Sequence, residues 1–239
     1  MNYGYGLALL ACFWGGAAAQ AADKLVISTS VVAPYTTSDH QGFLDQLVAA
    51  VFREVGLQAD VLVYPDASER SLLNANEGID DGQALRVAGL EKIYPNLIQV
   101  PEPVIMNDFV ALSARQRFAT PGWDALKPYT VSYLIGWKVF ESNVPPDTDR
   151  TLVREAGQLF TLLAQDRVDV ALYERWQGLA QARATGVKVR VMEPPLVRTP
   201  MYMYLHKKHA ALVPQVAQAL ARLKHNGVYQ RIHASTLKP

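Results

Sequence analysis

The chain has 239 residues, enough for one large α/β domain or for two lobes of about 100 residues each. Half of its residues are hydrophobic and 19% are charged, proportions that exclude a disordered chain. The formal net charge is +1 and no long basic or acidic block occurs, which removes the electrostatic footprint of a nucleic-acid binder.

In chain order, Met1 to Ala22 carries no charged side chain, with a compact apolar run from Leu7 to Trp14 and small residues from Ala17 to Ala21. This predicts a signal peptide over residues 1–21, cleaved after Ala19-Gln20-Ala21. It departs from the usual pattern in having no Lys or Arg before the apolar run. An uncleaved anchor is the rival, since 22 uncharged residues just span a bilayer, although this Gly and Ala content makes a poor span. The one cysteine, Cys12, ends a lipobox-like Leu9-Leu10-Ala11-Cys12, but too little sequence precedes it for a full lipoprotein signal. Cleavage leaves no cysteine, hence no disulfide, thiolate nucleophile or Cys-bound zinc, and suits an oxidising compartment.

Lys24 to Ser30 reads as a strand that opens into a turn at Ala33-Pro34-Tyr35. From Gly42 a helix follows, with Leu44, Leu47, Val48, Val51, Phe52 and Val55 on one stripe and Gly56 closing it. Ala59 to Val63 is a second strand, and a helix from about Ala67 to Asn76 ends at Gly78. Ile79-Asp80-Asp81-Gly82 then reads as a short strand with a turn, followed by a lone Arg86. Strands alternating with helices of this length predict a mainly parallel sheet covered on both faces.

Met106 to Ser113 is strand-like. A second series reads as strand Thr130–Leu134, helix Leu152–Ala164 with Leu159, Leu162 and Leu163 inward, strand Val168–Tyr173, helix Arg175–Ala184 and strand Val187–Val191. Met201 to Leu205 returns the chain, and a last helix, about Ala211 to Asn226, stops at Gly227. No internal repeat, low-complexity run or heptad is present.

The stretch from Arg70 to Val104, with its helix ending in Gly, its Asp81-Gly82 strand and Arg86, resembles the first lobe of periplasmic solute-binding proteins of family 3, the amino-acid-binding type. Trp123-Asp-Ala-Leu-Lys127, the segment Leu162 to Glu174 and the segment Ala219 to Ile232 resemble later motifs of that family in the same order. The likeness runs over nearly the whole mature chain. No single motif is specific, but their order and spacing together are. The resemblance implies a two-lobed α/β fold of the type II periplasmic-binding-protein class, each lobe a mainly parallel sheet flanked by helices, joined by two hinge crossings. Lobe one is then 22–109 and 204–239, and lobe two is 110–203.

The resemblance also implies the site. Arg86 matches the arginine that binds a ligand carboxylate; its planar, permanently charged fork suits a carboxylate bidentately, and a solvated surface arginine is the alternative. Glu174 falls where the family usually has an aspartate for the ligand amine, with a helix-dipole role as the alternative. Tyr35 matches the aromatic that packs on the ligand, or else is a core tyrosine. Two positions depart. Gln83 stands where a Ser or Thr shares the carboxylate, and Trp137 follows Gly136 where a Thr is usual. An indole cannot replace a small hydroxyl donor, though it could stack on a flat or cationic ligand.

His206 and His209 have metal-like spacing but lysine neighbours, so a solvated turn is expected. Glu77, Asp80 and Asp81 lack calcium-loop spacing, and no nucleophile elbow, phosphate loop or dinucleotide fingerprint occurs. No cofactor, metal or catalytic residue is assigned. The expected function is a periplasmic, monomeric solute-binding protein that captures a small polar, amino-acid-like ligand and delivers it to an ABC importer in the membrane. A receptor serving a membrane signalling partner is the second reading. The third is a cyclohexadienyl-dehydratase-like enzyme on the same fold, with Glu174 as general acid.

Overall fold

The structure is a computed structural model that describes residues 24–65 and 68–238. The expected signal peptide, Cys12 and the expected first residue of the second helix, Ala67, lie outside the described residues.

Strands β1 (Leu25–Thr29), β2 (Ala59–Val63) and β3 (Gly82–Arg86) are parallel, linked by helices α1 (Phe43–Glu54) and α2 (Ser68–Asn76). The α1 stripe Leu44, Leu47, Val48, Val51 and Phe52 is buried throughout. At its start Asp45 accepts the backbone N–H groups of Thr37 and Gly42, both at 3.0 Å, satisfying donors that a helix end leaves free.

Two antiparallel strands, β4 (Leu97–Ser113) and β9 (Val197–His206), then run side by side through the molecule. Beyond them lie β5 (Val131–Leu134), β6 (Arg150–Val153), β7 (Val170–Glu174) and the two-residue β8 (Arg190–Val191), with helices α3 (Lys138–Glu141), α4 (Ala156–Ala164) and α5 (Arg175–Ala184). Helices α6 (Val213–His225) and α7 (Val228–Thr236) end the chain. The sheet order is β2-β1-β3-β9-β4-β7-β5-β6, with β8 on β4.

The side chains divide this one sheet into two cored halves. On β9, Met203 and Leu205 join the core under α1 and α6, while Tyr204 turns to the opposite face beside Leu72 and Ala75 of α2. On β4, Val110 and Leu112 join Leu159, Phe160 and Tyr173, while Ala111 turns to Leu126, Val131 and Phe140. Both halves are therefore covered on both faces, as alternating strands and helices require.

Several expected boundaries move. Ile79 is not in a strand: its N–H and that of Asp80 both bond to the Asn74 carbonyl, wrapping the end of α2, so β3 starts at Gly82 and includes Arg86. β4 begins at Leu97, nine residues before the strand-like run. It passes through Pro101 and Pro103 by shifting register against β9, which suits residues with no N–H to give. Leu152 belongs to edge strand β6 rather than to a helix, and the Val187–Val191 strand shrinks to β8. The chain does not stop its helices at Gly227, whose left-handed φ of 81° turns it directly into α7.

Candidate functional site

Glu174 is the last residue of β7 and caps α5: its Oε2 accepts the Gln177 backbone N–H at 2.9 Å. Ladder pairing sets it opposite Phe109 on β4. Asn107, two residues earlier on β4, shares the Phe109 face, while Asp108 points the other way and bonds Arg175 and Arg198. Gly178 lets α5 lie this close to β4, since a Cβ there would stand 2.5 Å from Leu112 Cδ1.

From the other half, the turn after β1 delivers Tyr35. Its carbonyl accepts the Leu44 N–H at 2.7 Å, and Gly42 packs so tightly that a Cβ would lie 2.5 Å from that carbonyl oxygen. The fully buried Tyr35 ring meets Phe43 edge-on, and its hydroxyl lies 3.0 Å from Glu174 Oε1 and 3.1 Å from Asn107 Oδ1. A hydroxyl has one proton to give. All three groups are satisfied when Glu174 is protonated and donates to Tyr35, which then donates to Asn107. When Glu174 ionises, Tyr35 turns its proton to the carboxylate.

Glu174 is 1% exposed, and burial raises its pKa to about 7. The backbone N–H groups of Gln177 and Trp176 and the Tyr35 hydroxyl pull it down, and the Asp108 charge pushes it up. The Tyr35 hydroxyl is itself pushed well above its ordinary range, by burial first and then by Glu174.

Glu174 lies on the wall of a cavity of about 340 Å³ that Asn107, Phe109, Gly136, Trp137, Val139 and Gln177 complete. Among the described residues that line it, Glu174 alone carries charge. Trp137 stacks on Tyr173 (centroids 4.5 Å apart) and on Phe140 (5.8 Å), and meets Phe109 edge-on. Its stacking is with the protein's own rings, so it stands as a fixed apolar wall.

Arg86 and Gln83 form a separate group. Arg86 Nε donates to Gln83 Oε1 at 2.8 Å, and its two Nη donate to Ser68 Oγ and the Ser68 carbonyl. The Gln83 amide nitrogen is held by Ser28 Oγ and by both oxygens of Ser71. Burial lowers the Arg86 pKa to about 10. Of the five residues marked in the sequence, Tyr35 touches Glu174, Trp137 and Glu174 share a cavity, and Arg86 and Gln83 bind each other without lining it. Asn107, Phe109 and Gln177 were missed. The alternation of Asn107 and Phe109 on one strand face was the signal available for the first two.

His206 and His209 are not a solvated turn. His206 is buried at the end of β9, and His209 Nε2 lies 2.7 Å from Asp81 Oδ1. Among the described residues no group of three or more His, Cys, Asp or Glu is arranged to hold a metal ion. No described helix is long and apolar enough to cross a membrane.

The structure superposes on the GluR0 ligand-binding core in complex with L-glutamate with a TM-score of 0.74, at 14% identity, over 91% of this chain and 99% of that one. The chain has the two-lobed periplasmic-binding-protein fold. A histidine kinase sensor domain with similarity to periplasmic binding proteins shares it (TM-score 0.68, 16% identity, 91% and 97% covered). So does an ancestral amino-acid-binding protein described as a precursor of cyclohexadienyl dehydratase (0.67, 15%, 90% and 95%). No family model matches the sequence. A Shewanella oneidensis protein described as uncharacterized is 24% identical over 157 residues, 63% of this chain and 60% of that protein, so the match spans less than two thirds of that relative. Tyr35 and Glu174 meet from opposite halves of the sheet, on either side of β9 and β4.

Proposed function

We propose that this is a periplasmic solute-binding protein, exported by a signal peptide over residues 1–21, that captures a small polar, amino-acid-like ligand between its lobes. Lobe one is 22–109 and 204–239, and lobe two is 110–203. The observation that carries this reading is the cavity of about 340 Å³ beside the hinge strand β4, with a buried carboxyl on its wall held by a tyrosine from the other lobe. That size lies within the range of small-molecule sites, and ligands of open α/β sheets bind at the carboxyl ends of strands, where Glu174 stands. Glu174 accepts from the ligand's amine, Tyr35 positions Glu174, and Trp137 and Phe109 flank the ligand body. A carboxylate on the ligand has to reach Arg86, displacing its bonds to Ser68 and Gln83. The bound form then docks a membrane partner, an ABC importer or a sensor, and the sensor-domain neighbour keeps the second in play.

A thermal-shift screen of the protein against amino acids, amines, organic acids and aromatic metabolites tests the reading. A ligand at 100 times its dissociation constant adds about 2.7 kcal/mol. Silence across every class, with the protein folded, removes it.

One observation favours an enzyme as the second reading. A buried carboxyl titrating at about 7 on a cavity wall is suited to a general acid at neutral pH. Dehydration of a cyclohexadienyl substrate that Glu174→Gln abolishes would establish it; binding without turnover rejects it.

A further inference from the structure

Resting on the ligand-binding reading above, we infer that the cavity beside Glu174 selects organic amines that carry an apolar body and no carboxylate, in preference to the corresponding amino acids.

Charge is the first argument. Glu174 is the single charged side chain among the described residues of the cavity wall, and no Lys or Arg lines it. An α-amino acid has its carboxylate two bonds from its amine. Seating the amine on Glu174 therefore brings a second anion beside the first, with no lining cation to offset the repulsion.

The donors that would offset it are committed elsewhere. The Arg86 fork is bonded to Ser68 and Gln83, and both ends of the Gln83 amide are occupied within its own lobe. At the mouth of α3, Trp137 follows Gly136 and supplies no hydroxyl. Its indole stacks on Tyr173 and on Phe140 and occupies that place. Both places where a carboxylate would be gripped are thus filled.

The remaining surface describes the body of the ligand. Phe109, Trp137 and Val139 form an apolar wall, with the Phe109 and Trp137 rings crossed at 86°. Asn107 and Gln177 add neutral amides near the head. An ammonium at the Glu174 carboxylate, with an aryl or branched alkyl chain along this wall, matches each element: the charge is neutralised and the chain covers apolar surface. Neutralisation requires the ionised carboxylate; the Tyr35 hydroxyl from the turn after β1 faces Glu174, and Asp108, on the opposite face of β4 and bonded to Arg175 and Arg198, acts on it only through its charge.

The test is calorimetric titration of the purified protein with matched pairs, phenethylamine against L-phenylalanine and isoamylamine against L-leucine. The expected result is at least tenfold tighter binding of each amine than of its amino acid. Amine affinity should also rise about tenfold from pH 6 to pH 8 as Glu174 gives up its proton. Glu174→Gln, checked for folding by its unliganded melting, should lose amine binding and flatten the pH profile. Equal or tighter binding of the amino acids overturns the inference and leaves the binding reading standing, as does amine affinity that falls with rising pH. Absence of binding by every member of both pairs, in a protein that the broad screen also leaves unshifted, overturns both.

Discussion

At Glu174 burial and hydrogen bonding pull in opposite directions, and burial wins: the pKa rises from 4.5 to about 7. Between those values the folded protein binds more protons than the unfolded chain, so stability falls as pH rises through this window and the cost is complete above 7. Glu174→Gln keeps the protonated arrangement, with its amide donating to Tyr35 and its oxygen accepting the α5 N–H groups. It should be more stable than the parent above pH 7, by up to about 3 kcal/mol, and equal to it below pH 4.5. Urea denaturation across pH 4 to 8 measures the difference; parallel curves for the two proteins would show that Glu174 titrates normally. Tyr35→Phe removes a donor that lowers the carboxyl pKa, so Glu174 should titrate above 7 in that variant. Carboxyl NMR shifts followed against pH read it directly.

The elements around the site are set by two close approaches, and their costs differ in kind. At Gly42 an added Cβ meets the Tyr35 backbone carbonyl at 2.5 Å, and backbone cannot give without moving the turn that carries Tyr35. At Gly178 it meets the tip of the Leu112 side chain, which can rotate, while alanine recovers about 1 kcal/mol of helix propensity. Gly42→Ala should therefore destabilise by about 1–3 kcal/mol or more and disturb the Glu174 titration, with Gly178→Ala costing less. Denaturant midpoints of the two variants rank them, and the reverse order would mean that the turn before α1 is the softer contact.

For the whole molecule, the two-lobe reading proposed above makes β4 and β9 the connections about which the lobes close, and Arg175 of α5 is paired with Asp108 on β4. Closure of two lobes about such crossings should lower the radius of gyration when ligand is added. Small-angle scattering with and without the best amine from the titrations measures this. An unchanged profile at saturation would mean that ligand enters an already closed protein.

What the sequence determined by itself was local and periodic. The stripe from Leu44 to Phe52 marked α1, the short run Ala59 to Val63 was read as β2 at its observed bounds, and the order of strands and helices marked a mainly parallel sheet. Elements without such a signal were lost. The four residues of β6 are mostly exposed at a sheet edge, and the first half of β4 hides behind prolines that only pairing with β9 accommodates. The site shows the same division. Glu174, Tyr35 and Trp137 were legible as residues, but the bond between Tyr35 and Glu174 joins positions 139 apart. Whether Arg86 faced ligand or Ser68 depended on where α2 packs. Chemistry at a site depends on distance, burial and the partners already taken. Those belong to the packed chain, whereas hydrophobic period belongs to any stretch of it.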